Sequence, residues 1–283
     1  MRLLAGMFVA LVLVSALATH AQANSDATDF YNQIDALNWT GEAATRGVMP
    51  GVGDLTIDKD LKFLASPDSN KFVELNGNPP SKETFYILSK RDYSWFAGIS
   101  FMKSGYIKDN EKIDADALLE KLKEQNVASN EERKRLNLDT LTLVGWSVPP
   151  HYDEKTKRLE WGERLTSGKD STVTINYTVR ILGRSGYVAA TLVSDPENFD
   201  AQVQDFKATL DNFKFEQGES YAEFRQGDKI AEYGLAALVV GGGAAVLAKS
   251  GAGFLKLIFV AIAGAGAAIL SWIKNLFGNK KQQ

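Results

Sequence analysis

Hydrophobic and polar residues alternate most cleanly along Ser171–Leu182. Val173, Ile175, Tyr177, Val179 and Ile181 fall on one side, and Thr172, Thr174, Asn176, Thr178 and Arg180 on the other. A period of two predicts a strand with one face on a core and the other wet. Across Gly183-Arg184-Ser185-Gly186, the run Tyr187–Val193 predicts its antiparallel partner. Upstream, Arg158–Leu165 places Leu159 and Trp161 on one face. Asp139–Ser147 also reads as a strand, closed by Pro149-Pro150, which cannot donate to a ladder. Thr84–Ser89 and Tyr93–Met102 form a further pair around Arg91-Asp92. Asp54–Ile57, Leu61–Leu64 and Phe213–Phe215 are short strands.

The helices show a longer period. Ala115–Leu136 carries Leu118, Leu119 and Leu122 as a narrow stripe, with Asp114 as N-cap and Glu131 four residues before Arg135. Phe199, Val203, Phe206 and Leu210 form a second stripe after Asp195-Pro196, read as cap and first helical residue. Asp26–Trp39 predicts a short helix and Asp68–Leu75 a helical turn. Thr40–Gly53, with Gly47, Pro50, Gly51 and Gly53, reads as a loop or linker. Strands running in hairpins without a βαβ rhythm predict an α+β fold, an antiparallel sheet of at least five strands with packed helices.

Three apolar runs near the chain ends have no polar face. Arg2, the run Leu3–Leu17 and Ala21-Gln22-Ala23 have the three parts of a secretory signal peptide, with cleavage expected after Ala23. Near the C-terminus lie Tyr233–Ala248 and Phe254–Ile273, separated by Lys249–Gly253. The second, at 1.5 Å per residue, reaches ~30 Å and can cross a bilayer. The first, roughly 24 Å with Gly241-Gly242-Gly243 inside it, is a poor span alone. Small residues at Ala237, Gly241, Ala245 and at Ala263, Ala267, Ser271 would let the two pack closely. The expectation is a C-terminal transmembrane helical hairpin; one span plus an interfacial segment is the alternative. The expected order is signal peptide 1–23, helix and linker 24–53, exported domain 54–218, linker 219–229, anchor 230–278 with helices at about 233–248 and 254–273, and tail 279–283. The expected location is a bacterial inner membrane, with the domain in the periplasm and the bilayer as partner.

Composition narrows the chemistry. With no cysteine, disulfides, thiol nucleophiles and thiolate metal sites are excluded. Of two histidines, His20 leaves with the signal peptide, so any imidazole chemistry passes through His151. A net charge of -3 gives no electrostatic footprint for nucleic acid. His151, beside two prolines, Tyr152 and Asp153, could act as a general base or be a loop residue; no nucleophile motif accompanies it. Asp109, Asp114 and Asp116 lack the pattern of a calcium loop, and no metal or other cofactor is expected. Trp146, Tyr152 and Trp161 form either an aromatic platform for a glycan or lipid, or core packing. Asn176 and Arg180, on the wet strand face near Trp161, would rim a cleft.

Several motifs then carry a resemblance. They include Gly77-Asn78-Pro79-Pro80, Gly105-Tyr106-Ile107-Lys108-Asp109, Ile113-Asp114-Ala115-Asp116, Asn130-Glu131-Glu132-Arg133 and Gly145–Asp153. Later come Leu159-Glu160-Trp161, Asn176-Tyr177, Leu182-Gly183-Arg184, Tyr221–Phe224, Gly227-Asp228-Lys229 and Tyr233-Gly234-Leu235. In this order they resemble the domain of unknown function family 2167, uncharacterised membrane-anchored bacterial proteins. The resemblance implies an exported domain on a membrane anchor and supplies no activity. The sheet-plus-helix ending is also somewhat similar to PsbP-like domains, as fold analogy. The expected function is a membrane-anchored envelope protein whose exported domain is a non-catalytic protein-interaction module with an envelope protein partner. The alternative is a ligand- or lipid-binding module at the membrane surface.

Overall fold

The computed structural model describes residues 28–40, 46–79, 81 and 83–241. The signal-peptide segment, the second apolar run and the tail lie outside these residues. The chain divides into two compact units, Met1–Leu37 and Asn38–Gln283. In the first, residues 28–35 form helix α1.

The second unit is built on a seven-stranded antiparallel sheet. Its strands are β3 (Leu61–Leu64), β4 (Tyr86–Lys90), β5 (Phe96–Met102), β6 (Leu141–Asp153), β7 (Arg158–Ser167), β8 (Val173–Leu182) and β9 (Tyr187–Ser194), in the spatial order 3-4-5-9-8-7-6. A smaller sheet joins β1 (Arg46–Met49), β2 (Gly53–Thr56) and β10 (Phe213–Phe215). Thus part of the expected linker 40–53 is a strand. Gly47, read as a breaker, lies so close to the Phe63 ring that an added Cβ would sit 2.7 Å from it.

Both faces of the large sheet are covered. Helix α4 (Phe199–Leu210) and the small sheet bury Tyr177, Val179, Ile181, Val188, Ala190 and Leu192 under Phe206, Leu210, Met49 and Leu55. The opposite face holds a second core of Leu143, Leu159, Trp161, Leu165, Leu182 and Tyr187. It packs against Leu118 and Leu122 of α3 (Ala115–Arg135) and against α5 (Leu235–Val239). Helix α2 (Asp68–Leu75) buries Phe72 and Val73. With two cores, the expected wet face of β8 is an error. Thr174, Asn176 and Thr178 are buried, the Thr178 and Thr191 hydroxyls pairing at 3.1 Å, while Val173 is only half-buried.

Helix α3 is capped by the Asp114 carboxylate, which accepts from the Ala117 N–H as expected. The Glu131–Arg135 pair is not formed; Glu131 meets Lys134 and Glu132 meets Arg135, each three apart. Helix α4 starts at Phe199 rather than at Pro196, because Asp195 is used to accept from the Asn198 N–H and side chain.

The strand β6 runs through Pro149-Pro150 instead of ending before it. It is an edge strand, and its register to β7 shifts at three places, so neither proline has to donate. Its outer edge is sealed by α3. Asn126 and Asn130, one turn apart, exchange side-chain hydrogen bonds with the Leu141 and Leu143 backbone at 2.8–3.0 Å, as a neighbouring strand would.

The largest departure concerns the first apolar run. Leu235, Leu238, Val239 and Val240 are buried in the second core, and Tyr233 and Ala236 pack beside them. The Ala236 N–H donates to the Glu111 carboxylate at 3.0 Å, and Gly241, at φ +97°, ends the helix. Residues 233–240 are therefore part of the domain, where the first arm of the hairpin expected over 233–248 would begin; the rest of that arm, 242–248, lies outside the described residues. Among the described residues no helix is long and apolar enough to cross a membrane.

Candidate functional site

The two-residue repeat of β7 and β8 sorts the expected site residues onto opposite faces. Trp161 pairs across the ladder with Thr178, Glu163 with Asn176 and Leu159 with Arg180, so these six side chains share the second-core face. His151 pairs with Glu160 and belongs to the α4 face. Of the six residues expected to form one surface, Trp161 and Arg180 meet and Asn176 lies on the same face; Trp146 and Tyr152 pair with Glu163 and Leu159 of that face, and His151 does not join them.

In the inner group, the Arg180 guanidinium lies 5.3 Å from the Trp161 ring centre and 5.5 Å from that of Tyr187. Cations held over aromatic faces at this range are attracted by the ring quadrupole. The Arg180 Nε is closed off from solvent and has no hydrogen-bond partner. Burial pushes the guanidinium pKa down, against the influence of Tyr187 and Glu163. Glu163 is 2% exposed and accepts from the Trp161 indole N–H at 2.9 Å. Burial raises its carboxyl to about 7, opposed by that hydrogen bond and by Arg180. Only local signals mark Glu163 and Tyr187: one stands two residues after Trp161, the other opposite Leu182 in the next strand.

The aromatic border is structural. Trp146 donates from Nε1 to the Ala115 carbonyl at 3.0 Å. The Tyr152 hydroxyl donates to Asp109 at 2.9 Å, and Lys157 reaches the same oxygen at 2.7 Å. Burial pushes the Asp109 carboxyl up, but these two donors outweigh it and hold it low.

On the other face, the buried Glu160 carboxylate accepts from the Tyr177 hydroxyl and from Lys207 of α4, both at 2.6 Å. His151 Nε2 stands 3.7 Å away and is half exposed. Burial raises the Glu160 pKa, yet His151, Lys207 and Tyr177 together bring it to about 2. The carboxylate in turn raises His151 above its ordinary value. This group is a charge-balanced clasp of helix to sheet: its carboxylate is committed to three partners. Glu160 and Tyr177 stand within sequence motifs, but nothing in the sequence pairs them with Lys207, which lies 47 residues from Glu160.

Other motif residues fasten the segment after β10 to the sheet. Arg184 donates twice to Asp228, at 2.7 Å each, and once to the Gly218 carbonyl. The Tyr221 hydroxyl donates to the Ile107 carbonyl, and its ring stacks on Tyr106 at 4.4 Å. Tyr106 and Lys229 share a backbone hydrogen bond of 2.7 Å. Gly105, at φ +98°, permits this approach; a Cβ there would lie 2.6 Å from the Lys229 carbonyl oxygen. Buried Arg133 donates to the carbonyls of Gly77 and Asp139.

The model of the family described as a protein of unknown function (DUF2167) matches residues 42–274. The chain belongs to this family. The residues by which it resembles DUF2167 proteins are thus largely those that fasten α3, the 216–231 segment and α5 to the sheet. No curated protein matches the chain. Among solved structures, the solution structure of cyanobacterial PsbP (CyanoP) from Synechocystis sp. PCC 6803 is similar at a TM-score of 0.36 and 9% identity. It covers 62% of this DUF2167 chain and 97% of that chain. At that level it adds nothing to the reading of the site. Among the described residues no group of three or more His, Cys, Asp or Glu is placed to hold a metal ion.

Proposed function

We propose that this chain is a membrane-anchored envelope protein whose exported domain is a non-catalytic protein-interaction module. The observation that carries the reading is the burial of Leu235, Leu238 and Val239 in the second core. The chain is thus held to the domain as far as Val240, with thirteen residues between it and the apolar run Phe254–Ile273. Export is supported by the signal-peptide pattern through Ala23. With 233–240 in the domain, eight residues, 241–248, remain of the first run, about 12 Å at helical rise, which favours one span. The charged outer face of α3, with Val127 65% exposed, is the surface we assign to a protein partner.

Crosslinking from a cysteine placed at Val127 in native membranes tests this. A discrete protein adduct, lost when Glu124 and Glu131 on the same helix are reversed to lysine, is expected. Adducts insensitive to that reversal would refute the assignment.

A second reading, a ligand- or lipid-binding module, is favoured by Arg180, whose Nε lacks a partner between two aromatic rings. Native mass spectrometry would then detect a small acidic molecule on the wild-type chain and none on Arg180→Met.

A further inference from the structure

The segment that fastens the end of the sheet also carries an apolar rim. Five large hydrophobic side chains are exposed among the described residues: Val48, Val127, Val144, Phe224 and Ile230. The last two belong to one loop and converge on one residue. The Phe224 ring lies 4.3 Å from that of Tyr106, and Ile230 forms a parallel bridge with Tyr106. Phe224 is 38% exposed and Ile230 44%.

The charge around this rim is one-sided. Lys103 and Lys108 flank Tyr106, Arg225 follows Phe224 and Lys229 precedes Ile230; all four are exposed. The acidic residues of the same segments are mostly spent inward. Asp109 is held by Lys157 and Tyr152, and Asp228 by Arg184. Glu223 accepts from Ser220 and Gly218. Glu232 is exposed beside the rim, and Glu111, also exposed, accepts from the Ala236 N–H. The rim is also preformed. The double Arg184–Asp228 bond, the Tyr221–Ile107 bond and the paired backbone of Tyr106 with Lys229 and Ala231 hold the loop in place.

Such a rim, aromatic and aliphatic at its centre and basic around it, has the composition of a surface that sits on anionic headgroups. Its place in the chain names the occupant. Ile230 lies eleven residues before Gly241, where the described chain ends, and the apolar run Phe254–Ile273 follows. We propose that Tyr106, Phe224 and Ile230, ringed by Lys103, Lys108, Arg225 and Lys229, rest on an anionic bilayer surface and set the domain's orientation on it. This rests on the membrane-anchor reading and adds to it a lipid class and a contact face. The α3 surface assigned to a partner is a separate one.

The chain has no native thiol, so single cysteines report cleanly. Full-length protein carrying Phe224→Cys, Ile230→Cys or, as reference, Val127→Cys is labelled with a polarity-sensitive fluorophore and placed in nanodiscs of anionic or zwitterionic lipid. Probes at 224 and 230 are expected to blue-shift, and to be quenched by a headgroup-bound quencher at least threefold more than the probe at 127. The difference should appear in anionic discs and fade in zwitterionic discs or at high salt. Replacing the four basic residues by glutamine should abolish it without releasing the protein from the disc. If the protein stays in the disc while probes 224 and 230 remain as aqueous as probe 127, the docking face is wrong and the anchor stands. A chain that does not remain with the disc at all would overturn the anchor reading and this inference together.

Discussion

Truncating Leu238 to alanine measures whether the start of the first apolar run is domain or membrane. Leu238 is 0% exposed and shares the second core with Leu118, Leu122, Leu143 and Trp161. Removing three carbons forfeits about 2.4 kcal/mol of transfer free energy at about 0.8 kcal/mol each. The cavity left behind adds to this, and buried Leu→Ala changes span about 2–5 kcal/mol. We expect about 3 kcal/mol. For a domain of roughly 200 residues this lowers Tm by roughly 6–12 °C. The assay is thermal unfolding of the detergent-solubilised full chain followed by tryptophan fluorescence. Val127→Ala, at a 65% exposed position, serves as control and should stay within about 0.5 kcal/mol. A Leu238→Ala transition within 1–2 °C (roughly the control's own spread) of wild type would show that the segment contributes nothing to the domain, and the reasoning would fail.

Glu163 gives a pH signature. Its carboxyl is raised from 4.5 to about 7 on folding, so between these values the folded state binds more protons than the unfolded one. Stability should therefore fall as pH rises from about 4.5 to about 7, by at most about 3 kcal/mol, and Glu163→Gln should flatten that window in denaturant titrations. His151, raised by Glu160, adds stability below its ordinary value that is lost as pH rises through the folded value. Its ring resonances in NMR should titrate above about 6.5, and Glu160→Gln should lower the midpoint; no change would remove Glu160 as the cause. Replacing Asn126 and Asn130 by alanine uncovers the β6 edge, and each should cost about 1–2 kcal/mol in urea unfolding and promote self-association on sizing columns.

Much of the fold was legible because the sheet is antiparallel and its strands alternate. The β7, β8 and β9 strands fall within a few residues of their expected bounds, and α3 within one. The errors share a physical origin in partners distant along the chain. A period of two reveals that β8 has an apolar and a polar side, but not that Thr178 would find Thr191 and be buried with it. Pro149-Pro150 ends a central strand, yet an edge strand with shifted register accommodates it. An apolar octet such as 233–240 reads alike as membrane helix or core helix. Glu111, 125 residues upstream, receives the Ala236 N–H that starts α5. The site expectation failed in the same way: residues grouped by proximity in sequence, His151 and Tyr152, lie on opposite faces of one strand. Of the partners that give the groups their chemistry, Glu163 and Tyr187 are set by strand register and Lys207 comes from α4.

The central claim, an exported domain that includes residues 233–240 and is followed by a single span, is tested most directly by a topology measurement. A cysteine is placed at Val127 on the domain or at Lys281 in the tail. Cells with a permeabilised outer membrane and an intact inner membrane are exposed to a membrane-impermeant thiol reagent. The account predicts that the Val127→Cys chain labels at once, while the Lys281→Cys chain labels only after lysis. Labelling of both in intact cells would restore the hairpin, and labelling of neither before lysis would contradict export itself.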